Sequence, residues 1–153
     1  MLPGGSTTCL QASARAFASI EDDGSVVAWG SPAHGGDSNI VQDQLVDVQC
    51  IQASSAAFAA VLGDGSVVTW GSPDHGGDSS RVQRQLVDVK HVQASSAAFA
   101  AVLGDGSVVA WGSPGHGCAT SRDLRQMKNV QCIQASSAAW AGGGGGGGWG
   151  WAG

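Results

Sequence analysis

The sequence predicts an all-β fold built as a repeat array, with three complete units and part of a fourth. Three observations lead to this prediction. The chain repeats without gaps every 41 residues, over 9–49, 50–90 and 91–131, and a partial copy covers 132–141. Each complete copy holds an Asp-Gly pair between two apolar runs, which is typical of a β-hairpin. The second run, Val-Val-x-Trp, consists of strand-forming residues, and such a period is typical of arrays, solenoids and propellers.

The repetition also bears on function. Residues 1–8 lead into the array, and its second and third copies are identical at 28 of 41 positions. Near-identical units place the same groups at the same point of each unit, which favours a repeated surface over one asymmetric catalytic centre. We therefore expect a protein that is not an enzyme and binds no cofactor.

Within the second copy, the residues before and after the Asp-Gly pair predict two strands. The alanine-rich run 55–62 has helix propensity, but it is too short for a stable helix, so a strand is favoured. The run 66–71 is strand-forming and ends at Trp-Gly. We expect a primed turn between them, with Gly65 supplying a positive φ. Gly24 and Gly106 occupy the same turn position in the other copies.

The remainder of the second copy predicts a loop, a short helical turn and a further strand. Residues 72–78 are dense in turn formers and predict a loop. Residues 79–85 suit one helical turn capped by Asp78 or Ser79. In residues 86–92, apolar and polar side chains alternate loosely, as in a strand. Each unit should therefore contain three or four short strands. Large aromatic residues would fill the core, and the predicted core residues are Trp29, Trp70, Trp111, Phe58 and Phe99.

Composition argues against several classes of partner. Charged residues make up 12% of the chain and the net charge is −5, so no basic surface for nucleic acid is expected. The longest apolar run, 56–62, is far below the ~20 residues of a membrane-spanning helix, so direct membrane insertion is not expected. The first residues lack a signal-peptide pattern. We expect a soluble protein, and its compartment stays open.

Several polar residues that recur in the repeat are candidate sites. His34, His75 and His116 recur once per copy and could converge on a metal if they lined a central channel, although a role in a solvated turn is the favoured interpretation. The Asp-Gly turns lack the several carboxylates of a calcium loop. The repeated serine pairs, such as Ser54-Ser55, have no local base and should bond to nearby backbone.

The four cysteines (Cys9, Cys50, Cys118 and Cys132) are expected to be small buried hydrophobic residues rather than disulfide partners. Three of them occupy the same repeat position, and equivalent positions should be separated by a whole unit, beyond the reach of a disulfide.

The Asp-Gly-Ser-Val-Val-x-Trp-Gly segments, which end at Gly30, Gly71 and Gly112, resemble the repeats of the regulator of chromosome condensation family. The Gln-Ala-Ser-Ser-Ala-Ala-Phe and His-Gly-Gly-Asp stretches that flank them are similar to that family as well. The resemblance covers about residues 9–141 and implies a β-propeller, here a partial one. The period is shorter than the family's usual blade, and three and a half units cannot close the family's ring of about seven. Either the chain is part of a longer protein, or two copies complete a ring, or the array stays open against a partner.

From this resemblance we expect a non-catalytic interaction or scaffold subunit that contacts a protein partner or associates with itself to complete a ring. Some family members are guanine-nucleotide exchange factors for small GTPases, which gives one alternative.

The tail 142–153, with seven consecutive glycines followed by Trp149 and Trp151, departs from the repeat. It is either a flexible linker or a segment whose glycines stand for residues of unassigned identity. The second interpretation gives another alternative: an accessory subunit, organellar and peripheral to a large membrane complex such as a respiratory or algal photosynthetic one.

Overall fold

The computed structural model describes residues 9–113 in full and the backbone of 130–135, 140–144 and 147–150. These residues form twelve strands arranged in four three-stranded antiparallel sheets, which we call blades 1 to 4. Blade 1 contains β1 (Cys9–Ala12), β2 (Ala16–Ile20) and β3 (Val26–Gly30), and blade 2 contains β4 (Val48–Ala53), β5 (Ala57–Leu62) and β6 (Val67–Gly71). Blade 3 contains β7 (Val89–Ala94), β8 (Ala98–Leu103) and β9 (Val108–Gly112). Blade 4 contains β10 (Val130–Ala135), β11 (Trp140–Gly144) and β12 (Gly147–Gly150).

The blades are arranged as a partial β-propeller, which confirms the all-β repeat prediction. In each blade the strands follow chain order, and the first strands of neighbouring blades lie side by side. In blade 4, β11 and β12 continue into the glycine stretch, because ladder hydrogen bonds are made by the backbone and need no side chains. Among the described residues, no helix is long and apolar enough to cross a membrane.

The hairpin of each of blades 1 to 3 turns on a single glycine with a positive φ. In blade 2 the Leu62 carbonyl accepts from Gly65 N at 3.0 Å, while Leu62 N donates to the Ser66 carbonyl at 2.9 Å. Gly24, Gly65 and Gly106 have φ values of 82°, 84° and 83°. The expected primed turn is wrong, since it requires a positive φ at a preceding residue too. The three-residue loop instead suits a type I turn followed by a left-handed glycine.

The core lies between blades. The alanine-rich segment forms β5 rather than a helix, and its alanines at 57, 59 and 60 are fully buried. One cluster joins blade 1 to blade 2, and a second joins blade 2 to blade 3. Small side chains on one sheet leave room for the large side chains of the next, as close packing requires. Phe58 and Phe99 are completely buried in these two clusters.

The connector between blades differs slightly from expectation. The predicted helical turn is a 3-10 helix over Asn39–Gln44 in the first copy, and Ser80 N donates to Asp78 Oδ1 at 2.9 Å in the second. The strand expected over 86–92 begins only at Val89. Asp88 precedes it with a φ of 54°, a left-handed conformation that no strand residue adopts.

Candidate functional site at the face of the first blade

Each of the first three blades carries a stacked phenylalanine–tryptophan pair on its second and third strands. Phe58 and Trp70 are direct cross-strand partners in blade 2, and their ring centroids lie 5.3 Å apart. The corresponding distances are 5.6 Å for Phe17 and Trp29 in blade 1 and 5.5 Å for Phe99 and Trp111 in blade 3. Cross-strand pairing therefore builds the same aromatic unit in each blade, independently of what covers it.

In blades 2 and 3 the aromatic pair is inserted against the preceding blade. Trp70 Nε1 donates to the carbonyl of Gly35 at 3.0 Å, and Trp111 Nε1 donates to the carbonyl of Gly76 at 3.1 Å. Both tryptophans are buried. A buried indole N–H needs an acceptor, and a backbone carbonyl of the blade before supplies it. The hydrogen bond and the apolar contact together fix one blade on the next.

The acceptor glycine lies in a loop shaped to receive the aromatic pair. A 3-10 turn over Pro32–His34 leads into Gly35, which has a φ of 92°. A Cβ atom at this glycine would lie 2.5 Å from Cδ2 of Phe58. Gly76 is placed against Phe99 in the same way. We call these loops, Ser31–Asp37 and Ser72–Asp78, the glycine sockets.

The sequence-predicted histidines belong to the sockets. Ser31 Oγ lies 3.0 Å from His34 Nδ1, and the His34 carbonyl accepts from Ser13 Oγ at 2.7 Å. In blade 2, His75 makes the same two contacts with Ser72 and Ser54. Within the described part of the chain, no group of three His, Cys, Asp or Glu side chains is placed to hold a metal ion. His116 lies outside the described residues.

Blade 1 presents the same aromatic pair uncovered. Trp29 is 45% exposed and Phe17 is 43% exposed, against 4% for Trp70 and 0% for Phe58. Leu10 and Val27 are exposed beside them, while their repeat equivalents in blade 2 are buried. The prediction that Trp29 is a core residue is therefore wrong for the described part of the chain, in which no blade precedes blade 1 and covers this side chain. We call the surface formed by Leu10, Phe17, Val27 and Trp29 the open face.

Two backbone features of the open face continue the pattern seen between blades. Ala14 N donates to the Ser55 carbonyl at 2.9 Å, and Ser55 N donates to the Ser96 carbonyl at 2.8 Å. Blades 2 and 3 thus each accept a hydrogen bond from the blade before. Among the described residues, no donor bonds to the Ala14 carbonyl and no acceptor lies opposite Trp29 Nε1. The open face therefore has one acceptor and one donor in the positions that join neighbouring blades.

The acidic hairpin turns have a local structural role. Asp64 Oδ1 accepts from Ser66 N at 3.0 Å and from Ser66 Oγ at 2.6 Å. These hydrogen bonds to the ionised form lower the pKa of Asp64, and Ser25 and Ser107 lower the pKa of Asp23 and Asp105 likewise. Each carboxylate closes its own turn.

The two described cysteines are less buried than the sequence predicts. Cys9 and Cys50 are free and half-buried. Burial raises the pKa of the Cys50 thiol, and the neighbouring charge of Cys9 raises it further. The two cysteines lie on the first strands of blades 1 and 2, which are side by side.

Sequence reasoning missed Asp47 and Asp88, which join consecutive hairpins. Asp88 has a φ of 54°, and its carbonyl accepts from Gly104 N at 2.8 Å in the hairpin of blade 3. The next residue, Val89, donates to the Gly65 carbonyl at 2.9 Å in the hairpin of blade 2. The repeated Leu-Val-Asp-Val at 45–48 and 86–89 was the available signal.

No protein-family model matches this chain, and no curated protein matches it. Solved structures do match. Yeast RCC1 (Prp20), solved with Kap60 bound, has a TM-score of 0.65 at 16% identity, and the match covers 91% of this chain and 40% of that one. Human WBSCR16 gives 0.62 at 16% identity, covering 93% and 46%. The ectodomain of the Physcomitrella patens receptor kinase CR4 gives 0.62 at 14% identity, covering 92% and 39%.

These likenesses concern the fold. The chain spans less than half the length of each of these three proteins, and it contains four blades in the residues described. The geometry of the blades, their aromatic pairs and the similarity to known structures together identify the chain as a partial β-propeller with an RCC1-like fold.

Proposed function

We propose that this chain is a non-catalytic protein-interaction subunit, and that the open face of blade 1 is where it contacts a protein partner. The observation that carries the proposal is the contrast in exposure between Trp29 and Trp70, which occupy one repeat position. The same aromatic pair is buried in blades 2 and 3, where a preceding blade covers it. The exposed pair of blade 1 is therefore suited to being covered by another protein surface. Exposed apolar patches of this kind are typical of interaction sites.

Energetics support the proposal. Nearly half of Phe17 and Trp29 is exposed, and covering that area removes roughly 200 Å² of apolar surface from water. At about 25 cal/mol per Å², this burial contributes about 5 kcal/mol before the costs of association. Because the two rings are already stacked, little side-chain freedom remains to be lost on binding. Aromatic residues of this type commonly dominate interface energies.

The known relatives of the fold are compatible with protein partners. Yeast RCC1 was solved with Kap60 bound, and its binding to Gsp1p and histones has been described. Those partners belong to that protein, and no residue here is matched to them. The alternatives of a small-GTPase regulator and of an accessory subunit on a membrane complex gain no specific observation from the blades, so the interaction role is the proposal carried forward.

A photo-crosslinking experiment tests this proposal. A benzophenone amino acid is introduced at position 17 on the open face and, as a matched control, at position 40, where Ile40 is exposed on the connector. Each variant is expressed in the source cells and irradiated, and adducts are identified by mass spectrometry. We expect a defined protein adduct from position 17 and none from position 40. Equal yields at both positions, or no adduct at position 17, would contradict the proposal.

A further inference from the structure

We propose that the Asp-Gly hairpin turns are sites of spontaneous isoaspartate formation, that the serine after each glycine holds them closed, and that isomerisation of one turn releases the blade that follows. The turns at Asp23, Asp64 and Asp105 share one geometry. All three aspartates are exposed to water. Neither the open face nor its partner takes part in this chemistry.

The reaction begins at the peptide nitrogen of the glycine. In blade 2, Gly65 N would form a bond to Asp64 Cγ and lose its proton, while one carboxyl oxygen leaves as water and a succinimide ring closes. Water then adds back to the ring, and addition at the former backbone carbonyl of Asp64 leaves the chain running through Cγ, as isoaspartate. One water is lost and one is regained, so no further reactant is needed. Glycine favours ring closure because it has no Cβ beside its nitrogen.

Hydrogen bonds occupy both reacting groups in the folded turn of blade 2. Asp64 Oδ1 accepts from Ser66 N at 3.0 Å and from Ser66 Oγ at 2.6 Å. Gly65 N donates to the Leu62 carbonyl at 3.0 Å. These contacts must break before the carboxyl carbon meets a deprotonated Gly65 N. The bonds from Ser66 also lower the pKa of Asp64, and an ionised carboxylate accepts a nucleophile less readily than a carboxylic acid does.

The same contacts occur in the other two turns. Ser25 donates to Asp23 Oδ1 from its N at 2.9 Å and from its Oγ at 2.6 Å. Ser107 donates to Asp105 Oδ1 at the same two distances. The glycine N–H of each turn is bonded as in blade 2, at 3.0 Å. Because one molecule contains three equal turns, each turn is a control for the others.

The turn of blade 2 also holds the next blade. The Gly65 carbonyl accepts from Val89 N at 2.9 Å, at the first residue of β7. Isoaspartate places one more carbon atom in the main chain just before Gly65. The turn has no room for this atom, since even a Cβ added to Gly65 would lie 2.9 Å from Asp88 Cα. Isomerisation at Asp64 therefore displaces the Gly65 carbonyl and loosens the junction between blades 2 and 3.

Incubation of the purified chain for several weeks at neutral pH tests the role of the serine, with electron-transfer fragmentation to locate isoaspartate. We expect each wild-type turn to isomerise at least about tenfold more slowly than a free peptide of residues 60–68, because hydrogen bonds to a charged group keep the turn closed. In Ser66→Ala, isoaspartate should rise roughly three- to tenfold at position 64 and stay unchanged at positions 23 and 105. Ser107→Ala is the matched control, and its rise should occur at position 105 alone.

Amide hydrogen exchange of the aged Ser66→Ala protein tests the released junction. Compared with the same protein before ageing, Val89 N–H should lose protection in proportion to the isoaspartate formed at position 64. Val48 N–H, which donates to the Gly24 carbonyl at 2.9 Å in the junction between blades 1 and 2, should keep its protection.

Three results would overturn the role of the serine. They are wild-type turns that isomerise as fast as the free peptide, a Ser66→Ala variant with no rise at position 64, and an equal rise at all three positions, which would mean that the substitution opens the whole chain. Unchanged protection of Val89 N–H in isomerised protein would overturn the release of the following blade.

Discussion

Blades 1 and 2 contain the same aromatic pair in two environments. In each blade the phenylalanine and tryptophan are cross-strand partners with nearly parallel rings. Of these two blades, blade 2 alone has its indole N–H bonded to a glycine socket, through the Gly35 carbonyl. The stacking is therefore a property of the blade itself, whereas burial and hydrogen bonding belong to the junction between blades. In this fold, what a side chain contributes to stability depends on the neighbouring blade as well as on its own blade.

The largest expected effect compares the two tryptophans directly. Trp70→Ala should cost about 3–5 kcal/mol of unfolding free energy, because it empties a buried site and leaves the Gly35 carbonyl without its donor. Trp29→Ala should cost less than about 1 kcal/mol in the monomeric chain, since half-exposed positions contribute little. Urea denaturation of both variants, at a concentration where the chain is monomeric, gives the two values. Equal losses would show that the two environments do not differ energetically.

Much of the blade could be predicted from local sequence, because its signals are local. The Asp-Gly turn and the Val-Val-x-Trp run specify a hairpin, and the strands β5 and β6 form there. The turn type was wrong, since the number of residues between the paired strands decides it and the sequence alone leaves that number open.

The contacts between neighbouring blades could not be predicted from local sequence in the same way. The strand that carries Trp29 closely matches the strand that carries Trp70, and their difference in exposure follows from which blade precedes each one. The role of Gly35 as an acceptor for a residue 35 positions later depends on how blades stack, which no local pattern encodes. The sequence marks His34 as a weak metal candidate with a turn role favoured, but it does not indicate that Gly35 receives the next blade.

A second prediction tests the socket. Gly76→Ala should destabilise the chain by about 2–4 kcal/mol, since the new Cβ would collide with the ring of Phe99 and the residue has a φ of 93°, which is unfavourable for alanine. Gly24→Ala is the matched control. Its φ of 82° is similar, but its Cβ would meet only backbone, with Asp47 Cα at 3.0 Å.

The control should cost about 1–2 kcal/mol, the expected penalty of the left-handed conformation. The difference between the two variants in thermal unfolding measures how much more the contact with the Phe99 ring costs than the milder contact at Gly24. A Gly76→Ala variant no less stable than Gly24→Ala would mean that the socket is not a tight receptor for the aromatic pair.

A third prediction concerns the residue that joins two hairpins. Asp88→Val should cost about 1–2 kcal/mol, because a β-branched residue is strained at a φ of 54°. Asp88→Asn should change stability by less than about 0.5 kcal/mol, since asparagine tolerates this conformation. The ion pair with Lys90, at 2.9 Å between exposed side chains, contributes little. Chemical denaturation of the two variants measures the difference, and a large loss in Asp88→Asn would assign the role to the charge instead.

The smallest expected effect is the pH response of the hairpin turns, which should be the same in the open and the covered blade. Serine hydrogen bonds lower the pKa of Asp23 in blade 1 and of Asp64 in blade 2. A lowered folded-state pKa contributes stability above the unfolded value of 3.8, and this contribution is lost as the pH falls through the folded value. Titration of the two carboxylates by NMR should therefore show both below 3.8. Asp23→Asn and Asp64→Asn should weaken the acid sensitivity of unfolding equally. Unequal responses would place part of the difference between the blades in the turns, whereas equal responses leave the open face as the feature that separates blade 1 from blade 2.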